Sequence, residues 1–190
     1  MILTAHQPNF MPWYPFFQKI EQADVFVHLL NVQYEKNGYQ NRFHYNDKWH
    51  TMAVTKGKLK DLIEEKFYVN PTRDWEFIKY EFPYLPLDEF NWCIDTMTNK
   101  VGLTNVRIIN KIIEMLNIKT TVYPSFVTDK KKSERLVELC EHYGCDTYLS
   151  GIGAKVYLDE KVFNDKGIKV IYQDETKMIK KPIFDVLWNF

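Results

Sequence analysis

The sequence predicts an α/β fold, a mainly parallel sheet flanked by helices, with an inserted β-hairpin. Three observations predict it. Residues 2–30 are typical of strand, turn, helix and strand, a βαβ unit with parallel strands and a right-handed crossover. Helical and strand patterns then alternate toward the C-terminal region. Residues 43–54 resemble a hairpin that turns at Asn46 and Asp47. A length of 190 residues favours a single domain over residues 1–190.

The N-terminal elements follow from apolar spacing. Residues 2–5 form a short apolar run that ends at His6, which predicts a buried strand opening into a turn. Residues 12–22 carry apolar side chains at helical spacing, and Pro12 and Pro15 fit only the first turn of that helix. Residues 25–30 predict a second buried strand, in which His28 is a core or edge histidine.

The later elements carry start and stop signals. Residues 75–95 predict a helical stretch that Pro83 and Pro86 interrupt. Residues 133–143 predict a helix ended by Gly144, and residues 122–126, 147–149 and 168–172 predict strands. A helix over residues 104–117 is expected to begin at the cap Thr104. The apolar stripe of that helix comprises Val106, Ile109, Ile113 and Leu116, with Ile112 beside it.

Composition narrows the function classes. Lys plus Arg and Asp plus Glu each number 25, so zero net charge gives no global steering toward nucleic acid. The aromatic fraction of 16% fits a ligand cleft or a compositional bias equally well. The N-terminal residues do not resemble a signal peptide, and no stretch approaches membrane-spanning length. The odd number and the spacing of Cys93, Cys140 and Cys145 favour a reducing cytoplasm over disulfides or zinc.

Two candidate sites follow two predicted strands directly, and ligands of parallel sheets bind outside the carboxyl ends of strands. His6, with Gln7 and Asn9 beside it, suits phosphate binding or proton transfer near neutral pH. A turn histidine bonded to the backbone fits the position equally well. The second site is the Ser-Gly-Ile-Gly-Ala-Lys segment at residues 150–155, whose small residues and lysine suit an anion, although a plain tight turn has the same composition.

A third segment, residues 33–42, concentrates hydrogen-bonding side chains after the second strand. Arg42 could grip a phosphate or carboxylate with two parallel hydrogen bonds, and a solvated loop is the alternative. The histidines show no metal-ligand spacing, and no nucleophile elbow is present. A magnesium ion bound mainly by a substrate phosphate would need few protein ligands, so the cofactor stays open, with a magnesium–nucleotide complex as one candidate.

Several motifs together resemble the WbqC-like family. They are His-Gln-Pro-Asn-Phe at residues 6–10 with Pro-Trp at 12–13, Ala-Asp-Val-Phe-Val at 23–27, Val-Gln-Tyr at 32–34 with Lys36, Gln-Asn-Arg at 40–42, and Asp-Thr-Tyr-Leu-Ser-Gly-Ile-Gly-Ala-Lys-Val-Tyr-Leu-Asp at 146–159. The aromatic segment at residues 82–85 matches the family's middle element only in part. The opening is also similar to that of HIGH-type nucleotidyltransferases, which implies a Rossmann-like sheet, but His6 stands without the second histidine of their motif.

The resemblance implies a cytoplasmic transferase in surface-polysaccharide or O-antigen biosynthesis, with glycine or another amino acid as the transferred group. Its partners would be a phosphate-bearing small molecule and an amino acid. The expected catalytic residues are His6, Gln7 and Arg42. The expected substrate-binding residues are Asn9, Trp13, Gln33, Lys36, Gln40, Asn41, Ser150, Gly151, Gly153, Lys155 and Tyr157. No metal ligands and no membrane contact are expected.

Two other functions stay open. The same chemistry could modify a base in DNA. The neutral net charge argues against this function. It would be favoured by a basic strip formed by Lys56, Lys58, Lys60 and Lys130 to Lys132. A non-catalytic module that binds a nucleotide sugar would use the same pocket. The sequence does not indicate an oligomeric state.

Overall fold

A computed structural model describes residues 1–57, 60–94 and 99–188. The chain divides into two compact units. Unit 1 comprises Met1–His6, Pro15–Leu29 and Ile118–Lys180, and unit 2 comprises Gln7–Tyr14, Leu30–Asn117 and Lys181–Phe190. The single-domain organisation of residues 1–190 stays a prediction, whereas the predicted α/β class is confirmed by the elements below.

Unit 1 contains a five-stranded sheet in the order β5-β2-β1-β6-β7. Every neighbouring pair is parallel. The strands are β1 (Ile2–His6), β2 (Val25–His28), β5 (Thr121–Pro124), β6 (Thr147–Ser150) and β7 (Lys169–Tyr172). Each coincides within two residues with a predicted strand. The central strands β1, β2 and β6 are short apolar runs that the sheet buries, whereas the edge strands β5 and β7 are more exposed.

Helices cover both faces of this sheet. Helix α1 (Tyr14–Glu21) connects β1 to β2, and its Phe16 ring lies 5.8 Å from the ring of Phe26. On the opposite face, β1 and β2 pack with α5 (Lys132–His142) and α6 (Glu160–Asn164). As predicted, α5 is followed by Gly144, whose φ of +65° is the left-handed conformation that ends helices. The core on this face includes Leu3, Ala5, Val25, Val27, Val137, Cys140 and Phe163.

Unit 2 contains the predicted hairpin and the remaining α-helices. Strands β3 (Arg42–Tyr45) and β4 (Lys48–Thr51) pair antiparallel. The turn residues Asn46 and Asp47 have φ of +49° and +57°, the signature of a type I′ turn, so the hairpin prediction is confirmed. The helices are α2 (Pro71–Glu81), α3 (Asn91–Ile94), α4 (Val101–Met115) and α7 (Ile183–Leu187).

Three helix starts differ from the sequence prediction by two residues or more. Helix α1 begins at Tyr14, so Pro12 precedes the helix and only Pro15 lies in its first turn. Helix α2 begins at Pro71, before Trp75, because the Asn70 side chain accepts a hydrogen bond from the backbone N–H of Arg73 at 3.2 Å. The predicted cap Thr104 is wrong, since α4 begins at Val101 and Thr104 lies inside the helix and is buried. Asp95, at the end of the predicted helical stretch 75–95, and Lys58 both lie outside the described residues.

The buried stripe of α4 is also shifted from its predicted position. Ile109, Ile112 and Ile113 are buried as expected, but Val106 and Leu116 are only half-buried. The longer helix instead buries Val101, Gly102, Thr104, Asn105 and Ile108. Across the described part of the chain, no helix is both long enough and apolar enough to cross a bilayer.

Candidate functional site

The strand order of unit 1 creates a point where the direction of strand succession reverses. From β1 the chain builds outward through β2 to β5, and it then returns to add β6 and β7 on the other side of β1. The reversal therefore falls between β1 and β6. In open parallel sheets, ligands bind outside the carboxyl ends of the strands at such a switch point.

The two sequence-predicted sites of unit 1 lie on these two strands. His6 ends β1, and Ser150 ends the neighbouring parallel strand β6. The Thr4 hydroxyl donates to the carbonyl of Leu149 at 2.8 Å and so ties the two strands together near this end. The structure therefore brings the two predicted sites to one edge of the sheet, as the carboxyl-end rule predicts.

Extending the register of the paired strands beyond their last pairs aligns His6, Gly151 and Gln173. Leu3 lies opposite Tyr148, and continuing this parallel register puts His6 level with Gly151. Ser150 lies opposite Tyr172, which puts Gly151 level with Gln173. Contacts with α1 show which face this is. The His6 ring lies 5.0 Å from the ring of Phe16, and the Gln173 side chain donates to the carbonyl of Pro15 at 2.9 Å.

Gly151 leaves open space at its Cα, which we call the Gly151 gap. A Cβ added there would meet only Gln173 Oε1 within 4 Å, at 3.9 Å. The φ of −71° at Gly151 is one that any residue adopts. A Cβ at Gly153 would meet no described atom within 4 Å. Neither crowding nor backbone conformation therefore requires these glycines, and their bare backbone is open to close approach by a ligand.

Other residues of the segment 150–157 already interact with groups of the protein. Ser150 is buried, and its hydroxyl donates to the carbonyl of Gly151 at 3.3 Å. The ammonium of Lys155 lies 5.5 Å from the centre of the Tyr172 ring, and Tyr157 is exposed. Lys155 lies within the 3-10 helix Ile152–Val156, and Tyr157 follows this helix directly. Lys155 and Tyr157 thus sit at the solvent side of the loop.

Sequence reasoning missed two buried polar residues of unit 1. Lys19 is only 4% exposed, and its ammonium donates to the carbonyl of Ala5 at 3.4 Å. Burial lowers the pKa of Lys19 to about 8. Gln173 is buried directly after β7. The rule that ligands bind at the carboxyl ends of parallel strands, which selected His6 and Ser150, would also have selected Gln173. The signal for Lys19 was a lysine among the apolar residues of α1.

Unit 2 contains the other predicted residues, and two of them are engaged in folding their own loop. The Asn41 side chain accepts from the Tyr34 hydroxyl and donates to the carbonyl of Met52, both at 2.8 Å. Arg42 donates through Nε to the carbonyl of Gly38 at 3.2 Å and through Nη2 to that of Asn37. If Arg42 bound an anion through two hydrogen bonds, it would have to give up its hydrogen bonds to the carbonyls of Gly38 and Asn37.

Gln40 belongs to a buried polar network in unit 2. Its carbonyl accepts from the Tyr68 hydroxyl at 3.1 Å and from Asn105 Nδ2 at 2.7 Å, and Asn105 also donates to the carbonyl of Pro8 at 2.9 Å. Both amide atoms of the Gln40 side chain are buried without a hydrogen-bond partner among the described residues. The same holds for Asn9 Oδ1. These amides suit a role in binding.

The other predicted residues of unit 2 differ in exposure. Gln7 is half-buried, whereas Trp13, Gln33 and Lys36 are exposed. The lysines of the predicted basic strip that the structure describes are all exposed. They are Lys56 and Lys60 in unit 2 and Lys130, Lys131 and Lys132 in unit 1.

A groove of about 700 Å³ on unit 2 lies away from all of these residues. Both lining cations are already paired, Lys79 with Glu76 at 2.6 Å and Asp88 at 3.0 Å, and Arg73 with Asp74 at 3.0 Å. The groove is therefore poorly suited to an anion. It is lined by Arg73, Glu76, Phe77, Lys79, Tyr80, Pro83, Leu85, Leu87 and Asp88.

Metal and thiol chemistry have few candidate groups. Among residues 1–57, 60–94 and 99–188, no cluster of three His, Cys, Asp or Glu side chains is placed to hold a metal ion. All three cysteines are buried thiols. Burial raises the pKa of Cys93 and Cys140 to about 12. These thiols therefore stay protonated near neutral pH, where a thiolate would be needed for nucleophilic attack.

The strand order β5-β2-β1-β6-β7 and the switch point define a doubly wound α/β protein, because the five strands of this sheet, counted in chain order, follow the 3-2-1-4-5 order of the Rossmann type. The chain belongs to the WbqC-like protein family, whose model matches residues 7–182. It is 30% identical over 186 residues to the uncharacterized protein Rv1507c of Mycobacterium tuberculosis, a match that covers 88% of this chain and 80% of that protein. No solved structure matches the chain significantly.

Proposed function

We propose that this protein is a cytoplasmic transferase that joins glycine or another amino acid to an activated, phosphate-bearing sugar or nucleotide in polysaccharide biosynthesis. One observation carries the proposal: His6 ends β1 and Gly151, with open space at its Cα, follows the neighbouring strand β6, so that both lie at the switch point of the sheet. An ionisable imidazole beside open glycine backbone suits a phosphate that leaves during the reaction. The reaction class comes from the resemblance to proteins of surface-polysaccharide clusters.

The chemistry is a displacement. The amine of the amino acid attacks the carbon that carries the phosphate, so that a C–N bond forms while the C–O bond to the phosphate breaks. The bonding electrons leave on the phosphate oxygen. His6 as an imidazolium gives its proton to this oxygen, and the new ammonium then loses a proton to solvent. The backbone N–H groups around Gly151 and Gly153 stabilise the negative charge that develops.

The glycines are the part of this site that is specific to a ligand. A tight turn would explain a glycine with a positive φ or with a close neighbour, and Gly151 has neither. A phosphate would approach the bare backbone of Gly151, which a side chain would cover. The contributions of Gln7, Arg42 and the remaining residues of unit 2 stay predictions that single variants test.

The first experiment is a thermal-shift screen with and without Mg²⁺, because a ligand that binds only the folded protein raises its melting temperature. The ligands are ATP, UDP-sugars, dTDP-sugars, glycine and short DNA. Each stabilising donor is then incubated with ¹⁵N-glycine, and the product is detected by mass spectrometry. We expect a nucleotide sugar to stabilise the protein and to yield a glycine-bearing product.

Replacing His6 tests the site. His6→Ala should reduce turnover by about 10²-fold or more, the usual contribution of a positioned acid. The matched control is His44→Ala, since His44 is exposed on β3 in unit 2. Equal turnover in the wild type and His6→Ala would remove His6 from the mechanism. Stabilisation by DNA alone would favour base modification, and binding of a nucleotide sugar without product would favour a non-catalytic module.

A further inference from the structure

Lys19 is a buried cation beside the switch point. It lies on α1, and only 4% of it is exposed. Its ammonium makes one hydrogen bond within the described residues, a long one of 3.4 Å to the carbonyl of Ala5. No described carboxylate lies within the 4.0 Å of an ion pair. An ammonium placed in this way loses its hydration and gains little in return.

Lys66 shows what a compensated buried lysine looks like in the same chain. It is also buried, but its ammonium bonds Asp61 at 3.1 Å and the carbonyl of Thr55 at 3.2 Å. The two lysines therefore differ in partners and not in burial. For its three N–H donors, Lys19 has one acceptor among the described residues and no carboxylate, whereas Lys66 has two acceptors, one of which is a carboxylate.

The Lys19 side chain extends toward the switch point, where its ammonium can meet a ligand. In a βαβ unit the helix starts at the carboxyl edge of the sheet and runs back toward the other edge. Helical side chains lean toward the helix N-terminus, so Lys19 reaches back toward the carboxyl edge. Its ammonium meets the carbonyl of Ala5, the residue before His6.

Helix α1 is itself fixed at both sides of the Gly151 gap. Phe16, one turn before Lys19, contacts the His6 ring at 5.0 Å. Gln173, on the far side of the gap, donates to the carbonyl of Pro15 at 2.9 Å. The helix that carries Lys19 thus lies over the end of β1 and is hydrogen-bonded to Gln173, the residue that follows β7.

We propose that Lys19 binds an oxyanion of the ligand, a phosphate or carboxylate oxygen, at the carboxyl end of β1 beside His6 and the Gly151 gap. This inference rests on the site of the proposed function and identifies the residue that recognises the negative charge of the substrate. The lowered pKa of about 8 agrees with it, because an ammonium without a counter-charge titrates early and an anion would reverse that effect.

Lysine-selective NMR tests the proposal on the wild-type protein. With ¹³C at the ε carbon of every lysine, the Lys19 signal is assigned from its absence in Lys19→Gln and followed through a pH titration. We expect pyrophosphate to shift this signal and to raise the pKa of Lys19 by about one unit or more. Acetate and glycine are titrated as carboxylate ligands beside pyrophosphate. The class of anion that shifts the Lys19 signal identifies whether the site binds a phosphate or a carboxylate oxygen.

Binding measurements supply the second readout. Calorimetry with pyrophosphate, or with the carboxylate if that class of anion shifts the Lys19 signal, should show about tenfold weaker binding to Lys19→Gln, while Lys66→Gln binds like the wild type. The proposal is overturned if the Lys19 signal stays fixed at saturating anion, if Lys19→Gln binds within about twofold of the wild type, or if the wild type binds none of these anions.

The outcomes separate this inference from the proposed function. If Lys19 binds pyrophosphate and no donor yields a glycine product, the anion site stands and the transferase proposal fails. If a product forms and Lys19→Gln leaves the KM for the donor unchanged, the transferase proposal stands and the role of Lys19 fails.

Discussion

Replacing Lys19 by Met should stabilise the ligand-free protein near neutral pH. Burial without an acidic partner lowers the pKa of Lys19 from its ordinary 10.5 to about 8. That difference corresponds to about 3 kcal/mol at about 1.4 kcal/mol per pKa unit. Methionine fills a similar volume without a charge, and its thioether forfeits only the long bond to Ala5, worth about 1 kcal/mol. We therefore expect a gain of about 2 kcal/mol in the free energy of unfolding at pH 7.

The pH dependence carries a definite sign. Because the folded-state pKa lies below the unfolded-state value, the unfolded chain binds more protons between pH 8 and 10.5. The cost of burying Lys19 is fully present below pH 8 and fades as the pH rises to 10.5. The advantage of Lys19→Met should consequently shrink over this window and become a small deficit near its upper end, where only the lost bond to Ala5 remains.

Urea unfolding of the wild type and Lys19→Met from pH 7 to pH 10 measures this difference, since other titrating groups contribute equally to both proteins. At pH 7 the variant should also melt roughly 4 to 8 °C higher. Lys66→Met is the control, because Lys66 pairs with Asp61, and we expect it to destabilise the protein. A Lys19→Met protein that is less stable than the wild type at pH 7, or a stability difference that does not change with pH, would show that burying the Lys19 charge does not destabilise the fold.

Three further predictions follow from single side chains. Gly151→Ala should leave the unfolding free energy unchanged or raise it by up to about 1 kcal/mol, since its φ suits any residue and its Cβ meets only Gln173 Oε1 at 3.9 Å, but it should weaken pyrophosphate binding in calorimetry. Asn105→Ala should cost about 3 kcal/mol in urea unfolding, because Asn105 satisfies three buried groups. Cys93 and Cys140, with pKa values raised to about 12 by burial, should not react with a chromogenic disulfide reagent at pH 8 until the protein unfolds.

Each of these predictions has a control and a contrary result. Gly144→Ala, at a φ of +65°, should lose about 1 kcal/mol of unfolding free energy while pyrophosphate binding persists, and equal losses of stability in the two glycine variants would contradict the conclusion that Gly151 has neither a strained backbone nor a close neighbour. A loss below about 1 kcal/mol in Asn105→Ala would mean that the network contributes little. Rapid labelling of the native thiols would show that these cysteines are accessible, and labelling in urea gives the total count for comparison.

Much of unit 1 was predictable because its elements are marked by local patterns. A parallel strand is a short apolar run, and the glycine after α5 adopts a conformation that other residues avoid. The hairpin was predictable for the same reason, since Asn46 and Asp47 tolerate the positive φ of its turn. The helix start at Thr104 was wrong because the burial of Val101 and Gly102 by tertiary packing extends α4 beyond the local capping signal.

The candidate site divides in the same way. Local sequence patterns were enough to place His6 and Ser150 at strand ends, and the carboxyl-edge rule then brought them to one side of the sheet. The three-dimensional fold adds that β1 and β6 are neighbours, that a Cβ at Gly151 would meet only Gln173 Oε1 within 4 Å, and that Lys19 is buried with no acidic partner among the described residues. The physical reason is range: strand, turn and cap preferences act over a few residues, whereas strand order and the burial of a charge depend on segments far apart in the chain.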